Sequence, residues 1–317
     1  MANKQKDELA SRTALLYYEC QKSQLDIANE LGISRSYVSQ LLTYAREAGI
    51  VRISLNVDES YIHEIAFAEK FPGLQHVFIL PSPSTEYTMA NIGTFAAPHI
   101  TRLLNESDTI GINLGYAVQS VIENLDESNF SSKKPKTIVQ LMGGFLKGQN
   151  SMMMPGELVM RLSKMIGAEC LYLNCPAVID NASLKKDLLL ENSISAVVKR
   201  WKDVNLAIMG IGVVNEQSRI HSMLSAEMKK KVQDSAACCE ITLNYFDSNG
   251  RYLPILLENK ISIPYEILKS IKIKAVIGHG EHKAKAILSA LKAQMIDILI
   301  TDSITISTIG TLIGSTS

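Results

Sequence analysis

The sequence predicts an α/β chain in two parts, a winged helix-turn-helix over residues 1–57 and a Rossmann-like domain over residues 58–317. Three observations carry this reading. Two short helical periods meet at a single glycine within SQLDIANELGISRSYVSQLLTYAREAGIVRI, close to the N-terminus. After them, short apolar runs of strand length alternate with helical runs to the end of the chain. An apolar fraction of 46% over 317 residues supports a large core, and a charged fraction of 20% is low for a disordered chain.

The first elements follow from capping and period. The opening MANKQKDELA is polar, and a helix is expected after it. Ser23 is placed to cap the next helix, because its hydroxyl can accept an otherwise orphan backbone N–H. Leu25, Ile27, Ala28 and Leu31 form its buried side, and Gly32 stops it with the left-handed turn that glycine adopts cheaply. Ile33 re-enters the core, Ser34 caps a second helix, and Val38, Leu41, Leu42 and Ala45 face inward. Gly49 ends that helix, and Val51, Ile53 and Leu55 alternate as a short strand suited to a wing.

The outer face of the second helix carries Arg35, Ser36, Tyr37, Ser39, Gln40, Thr43 and Tyr44. These groups suit the major groove: arginine forks onto guanine, glutamine onto adenine, and hydroxyls reach phosphates or bases. A generic helical hairpin with a solvated polar face would share some of this pattern. The spacing of Ala28, Gly32, Val38 and Leu41 matches a DNA-reading helix-turn-helix more closely. Residues 1–58 hold seven Lys/Arg and seven Asp/Glu, so the segment lacks a broad basic field. Lys22, Arg35, Arg46 and Arg52 must then make the phosphate contacts. One copy binds weakly, which predicts an oligomer engaging double-stranded DNA through several heads.

In the second part a helix over Glu59–Phe71 ends at Pro72-Gly73. Strands are expected at His76–Leu80, Thr109–Asn113, Thr137–Met142, Cys170–Leu173, Leu206–Met209, Lys274–Ile277 and Ile298–Thr301, with a longer alternating strand over Cys238–Phe246. Helices are expected at Thr85–Leu104 (disturbed near Pro98), Ala117–Leu125, Glu157–Ile166, Ser193–Trp201 and Glu281–Ala293, with one more closing the chain. Such alternation argues for a largely parallel sheet covered on both faces, with ligands beyond the carboxyl ends of its strands.

Four glycine-bearing loops fall at those ends: Gly111–Ala117, Gly143–Gly148, Gly210–Gly212 and Gly278–Lys283. Glycine there lets backbone N–H groups approach an anion, and Lys283 adds a positive charge beside a helix start. None has the spacing of a Walker loop or of a dinucleotide fingerprint, so no nucleotide cofactor is expected. Glu240, Asp247 and Asp302 are the nearby carboxylates. Glu240 and Asp247 suit sugar hydroxyls, although Asp247-Ser-Asn-Gly250 also reads as a plain turn. His279 and His282 are placed for acid–base work or anion contact, with no recognisable nucleophile beside them. The lysine groups at 133–134 and 229–231 read as solvated faces, and Met152–Met154 as core or interface.

Five scattered cysteines form no metal-ligand spacing, and the adjacent Cys238 and Cys239 read as buried, inert thiols. No signal-peptide pattern opens the chain, and no run approaches the length of a membrane span, so a cytoplasmic protein is expected.

Assembled, these segments resemble one family, the SorC type of bacterial sugar-responsive transcriptional regulators. The head resembles that family's DNA reader. GINLGYAVQSVIENL, VQLMGG and NLAIMGIG resemble its sugar-domain loops, ITLNYFDSNG its alternating strand and turn, and HGEHKAKAILSALKAQMIDILITDSITIS its C-terminal segment. The resemblance implies a body related to sugar-phosphate isomerases and glucosamine-phosphate deaminases, used for sensing and not for catalysis, and a homotetramer. It places Gly111, Asn113, Gly115, Gly143, Gly144, Glu240, Asp247, Gly280 and Lys283 in the effector loops. The chain departs from the family pattern at Asn113, Leu114, Tyr116, His279 and Cys239-Glu240. The competing expectations are an isomerase or deaminase carrying a DNA-binding head, and an architectural protein whose body only oligomerises.

Overall fold

The computed structural model describes residues 2–51, 59–130, 135–144, 155–216 and 218–314. The chain divides into two compact units, Met1–Asp58 and Glu59–Ser317.

The first unit holds helices α1 (Ala2–Tyr18), α2 (Gln24–Leu31) and α3 (Arg35–Glu47). The polar N-terminal run belongs to α1 and does not precede it. Lysine, glutamine, glutamate, leucine and alanine are all good helix formers, and the buried side is made of small residues that leave little hydrophobic signal. Ala10, Ala14 and Leu16 from α1 close over Ile27, Ala28, Val38, Leu41, Leu42 and Ala45. Ser23 accepts the Asp26 N–H at 3.2 Å, and Ser34 accepts the Tyr37 N–H at 3.1 Å. Gly32 sits at φ 64°, the left-handed value the turn requires. Leu25, expected on the buried side, is 57% exposed, because the packed stripe of this eight-residue helix begins at Ile27. Val51 lies outside any strand, and the rest of the expected wing, with Ile53 and Leu55, falls outside the described residues.

The second unit begins with α4 (Glu59–Ala68) and β1 (His76–Leu80), then α5 (Thr85–Glu106), β2 (Thr109–Ile112), α6 (Tyr116–Glu123) and β3 (Thr137–Gln140). Next come α7 (Pro155–Ile166), β4 (Glu169–Leu171), α8 (Ala182–Leu190), α9 (Asn192–Arg200) and β5 (Leu206–Gly210). A small β region follows, with β6 (Gly212–Val213), α10 (Arg219–Met223), α11 (Ala226–Gln233), β7 (Ala237–Ile241), β8 (Asn244–Asp247) and β9 (Tyr252–Leu253). The chain closes with α12 (Tyr265–Ser270), β10 (Ile273–Ile277), α13 (Ala284–Lys292), β11 (Ile298–Asp302) and α14 (Ser303–Gly314). Helix α5 runs through Pro98 without ending there.

Seven strands form one parallel sheet in the order β1-β11-β10-β5-β2-β3-β4. Both faces are buried. Ile110, Ile112, Ile138, Leu206, Ile208 and Ile277 point to one side, and Val139, Ala207, Met209, Val276 and Leu299 to the other. The period of two within unbroken apolar runs is why these strands were readable. Each large side chain buried here contributes about 1.5–3 kcal/mol.

The expected long strand over Cys238–Phe246 is instead an antiparallel hairpin, β7 and β8, in the second sheet β6-β7-β8-β9. Its turn residues Thr242 and Leu243 sit at φ 52° and 59°. Two-residue hairpin turns require such values, and glycine or asparagine normally supplies them. Neither residue here signals a turn, so the apolar alternation reads straight through it.

Candidate functional site

In the first unit, α3 presents Arg35, Ser36, Tyr37, Ser39, Gln40 and Thr43 to solvent, while Val38, Leu41, Leu42 and Ala45 anchor it. Tyr44 differs from the others. Its hydroxyl donates to Asp7 Oδ1 at 2.6 Å, and Lys6 Nζ lies 4.1 Å from its ring centre. The side chain is thus tied to α1, which removes it from the row of outward-facing polar groups. Lys22 pairs with Glu30 at 2.5 Å, which offsets its charge. Arg35 and Arg46 remain as exposed cations on α3.

In the second unit, the direction of travel along the sheet reverses between β2 and β5. The chain proceeds from β2 outward to β3 and β4, whereas β5 leads to β10 on its other side. At such a reversal the loops leave in opposite directions and open a crevice at the strand ends. Asn113 spans it: Oδ1 accepts the Gly210 N–H at 2.8 Å, and Nδ2 donates to the Gly210 carbonyl at 3.4 Å. Gly115 and Gly210 face each other so closely that a Cβ on Gly115 would lie 3.5 Å from Gly210 Cα.

A cavity of about 160 Å³ occupies this crevice, room for about five water-sized groups. The β2–α6 loop gives it Asn113 and Gly115, the first residue of α6 gives Tyr116, and the β5–β6 crossing gives Gly210 and Gly212. The small sheet adds Glu240 and Tyr245, α10 adds His221 with Ser218 just before it, and Lys283 comes from the turn before α13. Glu240 is 6% exposed, and burial raises its carboxyl to about 7, against the Leu243 N–H and Lys260, which favour the charge. Gly212 is needed beside it, since a Cβ there would come within 2.6 Å of Glu240 Oε2. Burial also lowers the Lys283 ammonium below its usual range. The Tyr245 hydroxyl and His221 Nδ1 are buried with no hydrogen-bond partner among the described residues. The cavity therefore offers a carboxyl that exchanges its proton near neutrality, an amine, and two polar atoms able to bond a ligand.

The structure brings Asn113, Gly115, Glu240 and Lys283 together on this wall, and places the other expected residues elsewhere. Gly111 lies within β2, where a Cβ would come within 2.5 Å of Leu141 Cδ2. The Gly143 and Gly144 N–H groups donate to the Ile261 and Cys175 carbonyls, and residues 145–148 of that loop lie outside the described residues. Gly280, at φ 94°, donates its N–H to Asp302 Oδ2 at 3.0 Å and Thr305 Oγ1 at 2.7 Å, so this amide is engaged within the fold. Asp247 is the turn residue its sequence context allowed. Its Oδ1 accepts the Asn249 and Arg251 N–H groups at 2.8 and 2.9 Å, at the end of the hairpin opposite Glu240. Burial and Lys283 hold His279 down at about 4, so its imidazole is neutral. Cys239 is fully buried and Cys238 half-buried, and burial raises both thiols.

Sequence reading missed Tyr245, His221 and Ser218. Tyr245 was hidden inside the misread strand. The available signal for α10 and α11 was the pair of N-caps Ser218 and Ser225, which accept the His221 and Met228 N–H groups.

Comparison with known proteins agrees with this layout. A family model described as "Putative sugar-binding domain" matches residues 56–309, and one described as "Sigma-70, region 4" matches residues 15–48, across the three-helix head. The sorbitol operon regulator of Klebsiella pneumoniae is 28% identical over 309 residues, covering 95% of this chain and 97% of its own. The deoxyribonucleoside regulator of Bacillus subtilis is 24% identical, covering 95% and 96%, and the transcriptional regulator LsrR of Escherichia coli is 28% identical, covering 96% and 94%. The crystal structure of the full-length Klebsiella protein superposes with a TM-score of 0.73 over 95% of this chain and 97% of that one. With a sugar-binding-domain model matching most of its length and a regulator matching 95% of it, the chain belongs to the SorC family of bacterial sugar-responsive transcriptional regulators.

Proposed function

We propose that the chain is a DNA-binding transcriptional regulator whose operator binding is controlled by a sugar or sugar-phosphate effector held in the cavity between β2 and β5. The observation that carries this is the meeting of Asn113, Glu240 and Lys283 on one cavity wall, in a chain whose separate head exposes the polar face of α3. Lys283 takes the anionic end of the effector, and Glu240 takes hydroxyls. Arg35, Ser36, Tyr37, Ser39 and Gln40 read the operator, with Tyr44 positioning the helix through its bond to Asp7. The relatives named as regulators of a sorbitol operon and of deoxyribonucleosides support this class of ligand. A head with no net charge needs several copies for useful affinity, so the protein works as a homo-oligomer, a tetramer, in the cytoplasm. Among the described residues no helix is long and apolar enough to cross a membrane.

The test begins with a thermal-shift screen against sugars and sugar phosphates, because a ligand of the folded state raises its stability by mass action. Operator titrations then follow, with and without the compound found, on wild type and Lys283→Ala. The expected result is a weakened effector response with effector-free DNA affinity intact. An unchanged response removes Lys283 from the site.

One observation favours a second reading, an isomerase-like or deaminase-like enzyme. A carboxyl near 7 beside an amine is a workable acid–base set. Turnover of pentose or hexosamine phosphates by the purified chain, abolished by Glu240→Gln, decides for it. Absence of turnover together with ligand-dependent DNA release decides for the regulator.

A further inference from the structure

A second pocket, of about 290 Å³, shares no lining residue with the first. Around it stand Lys185 on α8, Lys260 and Ser262 on the segment before α12, the rings of Tyr252 and Tyr265, and Glu266. The two rings stack at 4.1 Å with 5° between their planes, which makes that side rigid.

Counting donors shows what the pocket lacks. Lys260 is 5% exposed, and its ammonium donates to the Leu243 carbonyl at 2.8 Å and to Asn244 Oδ1 at 2.7 Å. An ammonium has three N–H groups, so one is left over. Half-buried Lys185 donates to the Leu257 carbonyl at 2.5 Å, leaving two. Ser262 is 6% exposed, and its hydroxyl has no hydrogen-bond partner among the described residues. Glu266 is exposed, with its charge open to water. The unused donors of Lys185, Lys260 and Ser262 thus line one pocket with no further hydrogen-bond acceptor for them among the described residues, while Glu240 and Glu258 attract the two ammonium groups from outside its lining. Buried donors of this kind are costly to leave unmet.

We infer that this pocket binds an oxyanion, the phosphoryl or carboxylate group of a small molecule, between Lys185, Lys260 and the Ser262 hydroxyl. Burial, with a smaller repulsion from Lys185, disfavours the Lys260 ammonium against the attraction of Glu240, and its pKa falls to about 7. An anion held between the two lysines would offset both effects by favouring the charged ammonium.

The site also touches the first cavity through one turn. Lys260 holds the carbonyl of Leu243, whose N–H is held by Glu240, and Thr242 and Leu243 keep positive φ between them. An anion that keeps Lys260 charged favours the charged form of Glu240. The two pockets are therefore linked, and by thermodynamic reciprocity each ligand alters the affinity of the other by the same factor.

The test is calorimetric titration of the full chain with inorganic phosphate, and separately with acetate, at constant ionic strength. It is carried out on a Lys283→Ala background, so that the anion contact proposed for the first cavity cannot supply the signal. The expected result is saturable binding of one equivalent per chain, weakened at least tenfold by Ser262→Ala and by Lys185→Met. Both substitutions avoid the deeply buried Lys260, and circular dichroism melts confirm that the variants fold. Binding of phosphate alone assigns the site to phosphoryl groups, and binding of acetate alone assigns it to carboxylates. Binding of neither probe, or affinity unchanged in both variants, overturns the inference. This outcome does not depend on the first cavity, whose own test is the Lys283 response on DNA.

Discussion

Asn113→Ala tests whether the crevice is held open by one side chain. Asn113 is 4% exposed and makes two hydrogen bonds to Gly210 across the reversal of the sheet. The bond at 2.8 Å carries most of the energy; the other, at 3.4 Å, is near the limit of such contacts. Alanine leaves the buried Gly210 N–H without its partner, at a cost of about 1–3 kcal/mol. The adjoining cavity has room for water to bond this amide, which sets the expectation in the lower half of that range, about 1–2 kcal/mol. For a unit of this size each kcal/mol lowers the melting temperature by about 2–4 °C, so a drop of about 2–8 °C is expected. Calorimetric melting of wild type and variant measures it. Because Asn113 also lines the cavity, the effector concentration for half-maximal DNA release should rise about tenfold or more, equivalent to about 1.4 kcal/mol. DNA affinity without effector should stay within twofold, since the head is its own compact unit. An unchanged melting temperature with an unchanged effector response refutes the reasoning.

Three further outcomes are expected. Gln40→Ala should cost about 1–3 kcal/mol at the selected operator and little on random duplex, measured by competition binding; equal losses on both remove Gln40 from base reading. With Arg35 and Arg46 as the exposed cations of α3, and Arg52, which lies outside the described residues, expected to add a third, each head neutralises about three phosphates, so log affinity against log salt should fall with a slope of about −3 per engaged head; a slope of about −3 for the whole protein contradicts multi-head binding. Glu240, raised to about 7 by burial, keeps its proton in the fold where the unfolded chain loses it, so its contribution to stability is intact below about pH 4.5 and lost as pH rises to about 7. Glu240→Gln should flatten that part of the melting-temperature profile, and parallel profiles for the two proteins would falsify the assignment.

The parallel sheet was legible because its strands are buried on both sides and so appear as largely apolar runs, as in Leu206–Gly210 and the first three residues of Ile298–Asp302. The head was legible because caps and glycine mark its turns chemically, at Ser23, Gly32 and Ser34. What failed was any element whose signal lies in conformation and not in residue type. Thr242-Leu243 turns the chain with two residues that rarely take positive φ, and no reading of polarity finds it. The same failure concealed half of the cavity, since Tyr245 faces Glu240 across the hairpin only once the turn is known. Loop glycines were over-read for a related reason. Gly111 and Gly143 are glycine because Leu141 and Pro176 leave no room for a Cβ, a tertiary fact with no local signature.

These distinctions bear on how the cavity selects its ligand. In the proposed effector site Lys283 contributes a charge, which separates anionic from neutral compounds but discriminates weakly among isomers of one anionic sugar. The finer choice falls to Glu240, Tyr245 and His221, which are fixed by the hairpin and by α10. The Tyr245 hydroxyl and His221 Nδ1 have no hydrogen-bond partner among the described residues, so a ligand that places hydroxyls against them satisfies two buried groups at once. A stereoisomer that directs those hydroxyls elsewhere leaves both groups unbonded and displaces any water that served them. Sites built in this way reject analogues lacking the matching polar group far more strongly than apolar pockets reject a missing methylene. Burial of Glu240 sharpens the same selection, because its carboxyl near neutrality can donate as well as accept. Under the proposed function, the determinants of effector identity therefore lie in the small antiparallel sheet and α10, and the glycine loops of the parallel sheet supply the space in which they act.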